Sequence, residues 1–490
     1  MKRYVPISLL LLSTVNPLLA AQTPAPASTD IIFWSLAGDI GGTRLQRIVR
    51  EQGLACRVTP PCAATLQKAG ASAGLIHDLQ KLDLRKLDLQ KSTAKEPCAC
   101  SGDAAQVATL LHEKKSAAAE NKIRALLRDD AKNPWLHFAY GTVLRQRERF
   151  EEAFDAFEES SRLMPGFPET HSQLSYLFYR LDDADHAIAE ARTALSMDPK
   201  NAEAYRYLGL ALYADGQYDA ALNAFQQSLV REPENADVYY DMGITLRDQG
   251  DLRRAAIAYQ HALKLRPNFW EAHSNLGVAL HDQGRLDEAV TEYLEAKRLA
   301  PREASIRNNL GNTYCDKSDF DRAITEFQDL YRQNPEWEGG HSCLARAHMA
   351  KRNYGAAIDE LRAAIRQNPA GAAEHRVLGQ ALLLAGKDQE ALHELQVAVS
   401  INPDSALAHH YLGTALVNTQ QLAEAEKEFR HALRLEASAQ NHYSLAACLM
   451  ALNRYEEALG ELETASRMDP SQDLYRTRMQ EVVRLITASK

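Results

Sequence analysis

Between Pro134 and Pro470 the apolar and polar positions follow one pattern written many times. Each copy has two stretches whose apolar residues return at the three- and four-residue spacing of an amphipathic helix, with short polar breaks between them. In Asn201–Pro233 the first stretch holds Leu208 and Gly209, the second holds Ala221 and Phe225, and Pro233 closes the copy. Slid along the chain, these landmarks return every 34 residues. A small residue recurs at Gly141, Ser175, Gly209, Gly243, Gly277, Gly311, Ala345, Gly379 and Gly413. An alanine keeps the same period from Ala153 to Ala425, and a proline from Pro165 to Pro403.

The fixed positions explain a helix pair. The small residue and the alanine let two helices approach closely, and Leu174, Leu208, Leu276, Leu310, Leu344, Leu378 and Leu412 fill the space between. Phe157, Phe225, Tyr259, Tyr293, Phe327 and Phe429 are the large residues of the second helix. Gly216, Gly250 and Gly284 end the first helix, where a positive φ is wanted. The proline ends the second by forbidding its continuation.

Counting back from Gly141, Ala153 and Pro165 lands on Val107, Ala119 and Ala131, so residues 100–133 read as a degenerate first repeat. Ten regular repeats follow over 134–472, the last shifted by one residue to Ala446, Ala458 and Pro470. Residues 473–490, with Val482, Val483 and Ile486 on one face, read as a capping helix. A period of 34 with these landmarks resembles the tetratricopeptide repeat (TPR) over about three quarters of the chain. The resemblance implies an all-α, right-handed α-solenoid of about eleven helix pairs, each packed only on its neighbours. It also implies that extended peptides or partner helices lie along the concave face lined by the first helices.

Upstream of the array the period is absent. Met1-Lys-Arg-Tyr and the apolar run that follows, closing at Ala20 and Ala21, read as a secretory signal peptide over 1–21, with an uncleaved anchor as the alternative. A Pro/Ala linker over 22–32 leads to a small helical leader over 33–99, with helices expected at Arg44–Gln52, Pro61–Ala69 and Ser72–Leu82. Its Gly53…Thr59-Pro…Leu66-Gln-Lys-Ala-Gly pattern resembles a helical module that accompanies repeat arrays in bacterial proteins. The tandem Leu82-Asp-Leu-Arg-Lys and Leu87-Asp-Leu-Gln-Lys repeats at a period of five, matching neither helix nor strand. The export signal points to a periplasmic or secreted protein of a Gram-negative-type envelope, in contact with membrane only if the signal is uncleaved.

A formal charge of -9, made more negative if Lys2 and Arg3 are removed, argues against nucleic acid as the partner. Cys56, Cys62, Cys98 and Cys100 cluster in the leader and suggest two disulfides; free thiols and a metal site are the alternatives, and the spacings are not those of common zinc sites. Cys315, Cys343 and Cys448 fall on repeat helices and read as small core or groove residues. His273, His341, His375, His409 and His442 share one position with Tyr205 and Tyr239, so they read as packed wide side chains and not as a metal ladder. Neighbouring helix axes stand about 8–10 Å apart, too far for one zinc to join such rungs.

No Walker loop, nucleophile elbow, metalloprotease helix or dinucleotide fingerprint occurs, and Gly38-Asp-Ile-Gly-Gly42 reads as a turn. The expectation is a protein without catalytic residues, cofactor, metal or small-molecule substrate. Function then falls to the variable positions of the first helices. Tyr176, Tyr179, Arg206, Tyr213, Tyr240 and Arg247 make an aromatic and basic cluster in the third to fifth repeats. Asn275, Asn308, Asn309, Asn312, Arg346, Arg376 and Gln380 make an amide and guanidinium cluster in the sixth to ninth. Amides can bond a peptide backbone whatever its sequence, and arginine can grip a carboxylate at two points. Asn275 and Asn309 resemble the asparagine ladder in the repeats of O-GlcNAc transferases, whose glycosyltransferase domain this chain lacks. The carboxylate clamp of chaperone-binding TPR domains is incomplete, because Ser342 and Arg346 stand where one of its units needs an asparagine. The second expectation for function is an envelope or secretion-complex assembly scaffold acting through the convex face and the leader, and a remote third is an enzyme or regulatory subunit whose activity lies in the N-terminal leader.

Overall fold

A computed structural model describes residues 29–37, 40, 44–47, 58–81 and 102–488. Those residues form α-helices joined by short turns, with no strand among them. The signal segment, the period-five duplication, Cys56, Cys98 and Cys100 lie outside the described residues. The chain divides at Gly250 into two bodies. In each, consecutive helix pairs pack on their neighbours in chain order, as in a solenoid.

Repeat 1 is the pair Asp103–His112 and Ser116–Asp129, and repeat 2 is Pro134–Gln146 with Phe150–Leu163. The same arrangement continues at about the expected spacing to repeat 11, Ala439–Ala451 with Tyr455–Met468. Asparagine, aspartate and serine start many of the helices: the side chains of Asn133, Asn201, Asn235, Ser405 and Ser438 accept from backbone amides of the first turn. First helices end on a left-handed residue. Gly216, Gly250 and Gly284 supply it at φ 75°, 89° and 76°, while Glu148, Asp182 and Gln420 hold it at φ 58°, 59° and 63°.

The recurrent small residue has a defined partner. The large residue sixteen positions later, in the second helix of the same repeat, lies directly on it. A Cβ on Gly141, Gly209, Gly311 or Gly413 would stand within 2.9 Å of the ring of Phe157, Phe225, Phe327 or Phe429. In repeat 3 the small residue is Ser175, whose hydroxyl donates to the Ala187 carbonyl at 2.7 Å, and the residue sixteen positions later is a buried alanine, Ala191.

Two readings of the ends are corrected. The first described helix, Thr29–Ala37, begins inside the expected 22–32 linker, and Ile32, Phe33, Trp34 and Ala37 are buried. It packs on the first helices of repeats 1 and 2 and shares one core with them. An apolar run of that kind needs a surface to cover it, and the array supplies one. At the other end, Asp473–Ala488 buries Tyr475 and Val482, whereas Val483 is exposed, because the contact stripe runs through Tyr475, Met479, Val482 and Ile486. The other leader helices form at Pro60–Lys68 and Ala73–Lys81, with Leu66, Leu75 and Leu79 buried.

Candidate functional site

In the first body the aromatic and basic cluster is knitted together within the chain. Tyr176 lies between the guanidinium groups of Arg145 and Arg180, at 5.4 and 6.0 Å from its ring centre, and against Tyr179 and Tyr207. Arg206 Nε donates to Asp241 Oδ2 at 2.6 Å, and the Tyr213 hydroxyl donates to Asp248 Oδ2 at 2.6 Å. Both bonds join first helices of successive repeats. Burial pushes the Asp241 carboxyl above its usual range, against the pull of Arg206. Burial and the bond to Asp248 push the Tyr213 phenol up. Tyr240 and Arg247 are half-buried, and Arg247 also bonds its neighbour Asp248.

In the second body the amide cluster divides. Asn308 donates weakly to Asn309 at 3.4 Å, and its Oδ1 is buried without a partner, as is Nε1 of Trp337. Both atoms would meet a Cβ on Gly339 within 2.9 Å. Arg346 reaches Asp316 at 3.2 Å across an exposed pair. Asn275 is half-buried, as are Asn312, Arg376 and Gln380. Among the described residues, the side chains of Asn312, Arg376 and Gln380 make no hydrogen bond or ion pair within the chain.

Between these residues the eighth repeat departs from the pattern. Its first helix starts only at His341, after Gly339 and a left-handed Gly340 at φ 95°, and is 10 residues long. The shortened helix leaves a cavity of about 190 Å³ whose walls include Asn312, Ser342, Gln367, Asn368 and Glu374. Cys315 and Cys343 are joined by a disulfide across the first helices of repeats 7 and 8, with Cα atoms 6.0 Å apart. Both are buried, in keeping with small core or groove residues, and the bond between them was not legible in the sequence. A separation of 28 in sequence becomes adjacency only when the repeats stack. Cys448 is free and buried, as expected of a small core residue. In the leader, Cys62 is disulfide-bonded.

The recurrent histidines are internal clamps. Nδ1 of His273, His341, His375 and His442 lies 2.6 Å from Glu292, Glu360, Glu394 and Glu461, and His409 stands 2.5 Å from Glu428. Nε2 of His273, His375 and His409 faces the carbonyl of the proline six residues earlier. His171 joins the series through Glu190 at 2.7 Å, and Arg307 replaces the histidine in repeat 7, reaching Glu326 at 3.3 Å. The glutamate nineteen residues on was the signal that sequence reading overlooked. Among the described residues no cluster of three or more His, Cys, Asp or Glu side chains could hold a metal ion.

The model of the tetratricopeptide repeat family matches residues 111–165, 173–237, 240–304, 344–406 and 412–473, more than half of the chain. The chain belongs to the tetratricopeptide repeat family. Among solved TPR-like structures, a crystal structure of MamA is 27% identical over 34% of this chain and 96% of its own, with a TM-score of 0.30. YrrB, described as a TPR protein with an unusual peptide-binding site, is 24% identical over 41% of this chain and 99% of its own, with a TM-score of 0.33. PilF of Pseudomonas aeruginosa is 19% identical over 46% of this chain and 99% of its own, with a TM-score of 0.38. No curated protein matches the chain. The two TPR bodies carry one cluster each of the expected groove residues. The first is largely self-paired, and the second keeps unpaired groups.

Proposed function

We propose that this TPR protein is a non-catalytic scaffold that binds a protein or peptide along the first helices of its second body. The observation that carries the reading is the set of unpaired groups Asn312, Arg376 and Gln380, spread over repeats 7 and 9 of a regular packed frame. Each stands on a rigid helix, so little ordering cost is met on binding. The amides offer donors and acceptors to a peptide backbone, and Arg376 offers a fork to a carboxylate. Arg346 can join them, because its exposed pair with Asp316 contributes little and is readily exchanged.

The compartment is proposed to be periplasmic or extracellular. The disulfide between Cys315 and Cys343 and the bonded Cys62 support an oxidising location, as does the apolar start of the chain. The alternative scaffold acting through the leader has less support, because the apolar face of Thr29–Ala37 is already spent on repeats 1 and 2. The test is capture of the native partner from the envelope fraction, followed by titration calorimetry. Arg346→Ala combined with Arg376→Ala should weaken that partner by at least about tenfold, the loss expected for charge-assisted bonds. Unchanged affinity would remove the groove reading.

A further inference from the structure

The first helix of repeat 8 lacks its opening turn, and glycine is the cause. Gly340 stands in the left-handed region at φ 95°, and a Cβ there would come within 2.1 Å of the Phe327 ring. The helix therefore starts at His341, and among the described residues no side chain caps its first turn. Two polar or covalent links tie it to the first helix of repeat 7. One is the Cys315–Cys343 disulfide, and the other is the exposed Arg346–Asp316 pair at 3.2 Å. Exposed pairs contribute little, so the disulfide is the stronger of the two.

The bond can be reached from outside. Cys343 is a wall of the cavity of about 190 Å³ that the missing turn leaves, beside the exposed Ser342 and Gln367. A reduced state is also provided for. Sγ of Cys315 stands 3.3 Å from the Cys343 carbonyl, and Sγ of Cys343 stands 3.8 Å from the Gly311 carbonyl. Each sulfur would thus have an acceptor in place as a thiol, as the free Cys448 has in the Leu422 carbonyl at 3.4 Å. The groove side chains lie close by. Asn312 precedes Cys315 by three residues and Arg346 follows Cys343 by three, about one helical turn in each case.

We propose that Cys315–Cys343 is a redox lock on the groove, opened in the folded chain by a dithiol that enters through this cavity. A thiolate of the dithiol attacks Cys343 Sγ; the S–S bond breaks, and Cys315 leaves as a thiolate that takes up a proton. The second thiol of the reductant then attacks the mixed disulfide, releases Cys343 and closes the reductant into its own disulfide. Two electrons pass from the dithiol to the protein. With the bond cut, the uncapped start of the helix frays, and Arg346 loses its fixed place beside Asn312 and Asp316. The lock stands on the disulfide and the cavity; its effect on a partner rests on the reading of the groove given above.

The test treats the full chain with dithiothreitol in native buffer, alkylates it, and locates the modified cysteines by mass spectrometry. Cys315 and Cys343 should both react while helical circular dichroism is unchanged, at a rate proportional to dithiothreitol. Ser342→Trp, at an exposed position on the cavity, should slow that rate at least about tenfold, because exchange depends on access to the attacked sulfur. Amide exchange over His341–Ala350 should quicken at least about tenfold on reduction, with Ala406–Asn418 unchanged. Reduction only where denaturant unfolds the chain, a rate indifferent to Ser342→Trp, or unchanged exchange at His341–Ala350 would overturn the proposal. The double variant Cys315→Ser, Cys343→Ser, which spares Cys62, should retain several-fold less of the envelope partner that depends on Arg346 and Arg376. Equal retention would overturn the lock and leave the scaffold reading standing. A partner indifferent to Arg346→Ala with Arg376→Ala would remove the scaffold reading, while alkylation and exchange would still decide the lock.

Discussion

Nδ1 of His273 lies 2.6 Å from Glu292 Oε2, and Nε2 of the same ring lies 3.1 Å from the carbonyl of Pro267. One side chain thereby ties the start of a first helix to its own second helix and to the turn before it. Burial works against the imidazolium, but the bonds to Glu292 and Pro267, with the charges of Glu292 and Glu295, leave the His273 pKa raised above its ordinary value. A raised pKa means that the clamp's contribution to stability is complete below the unfolded value of about 6.5 and is lost as pH rises through the folded value. Melting temperature should therefore fall as pH is raised across that interval. His273→Gln should reduce the fall, and an NMR titration placing His273 below 6.5 would contradict the account.

The contact of Gly209 with Phe225 leaves no room for a methyl group. An ideal Cβ at Gly209 would come within 2.5 Å of the ring, so Gly209→Ala should cost about 1–3 kcal/mol by overpacking. Repeat 8 shows the compensation, with Ala345 and Leu361 buried at the same two positions. The double variant Gly209→Ala, Phe225→Leu should recover part of the loss in urea unfolding. A single variant as stable as the parent would show that the ring moves freely.

Reduction of Cys315–Cys343 should loosen repeats 7 and 8. Closing a loop of 28 residues restricts the unfolded chain by about 3–4 kcal/mol in the entropic account. Cys315→Ser with Cys343→Ser should lower the melting temperature and should speed amide exchange first in the helices Ala304–Asp316 and His341–Ala350. Dithiothreitol should then have no further effect at this site. Exchange that is unchanged there in the variant would count against the bond as a support of the groove.

Left-handed ends offer a gain. Glu148 and Asp182 adopt φ 58° and 59° at the position that Gly216 fills in repeat 4. Side chains are disfavoured in that region, so Glu148→Gly or Asp182→Gly should stabilise by up to about 1 kcal/mol, offset partly by greater freedom of the unfolded chain. Thermal denaturation of each variant checks the sign. Gly216→Glu should move in the opposite direction.

The period of 34 and its fixed letters determined the family, the all-helical class, the pairing of helices and most of their bounds. Those properties depend on contacts within one repeat or between neighbours, and such contacts are local in sequence. The positive φ at Gly216, Gly250 and Gly284 was legible for the same reason. The groove positions were also legible as positions, since they follow from the helical register. Whether they are free was not. Arg206 is taken by Asp241 and Arg346 loosely paired with Asp316, whereas the Arg376 side chain is left unpaired, and that depends on what the neighbouring first helices present. The leader was legible as helical but not as part of the array, because burying Phe33 and Trp34 requires the assembled surface of repeats 1 and 2. The same holds for Cys315 with Cys343 and for Arg44 with Glu169, 125 residues away. Periodicity decides what each repeat is; stacking decides which of its side chains remain available to a partner.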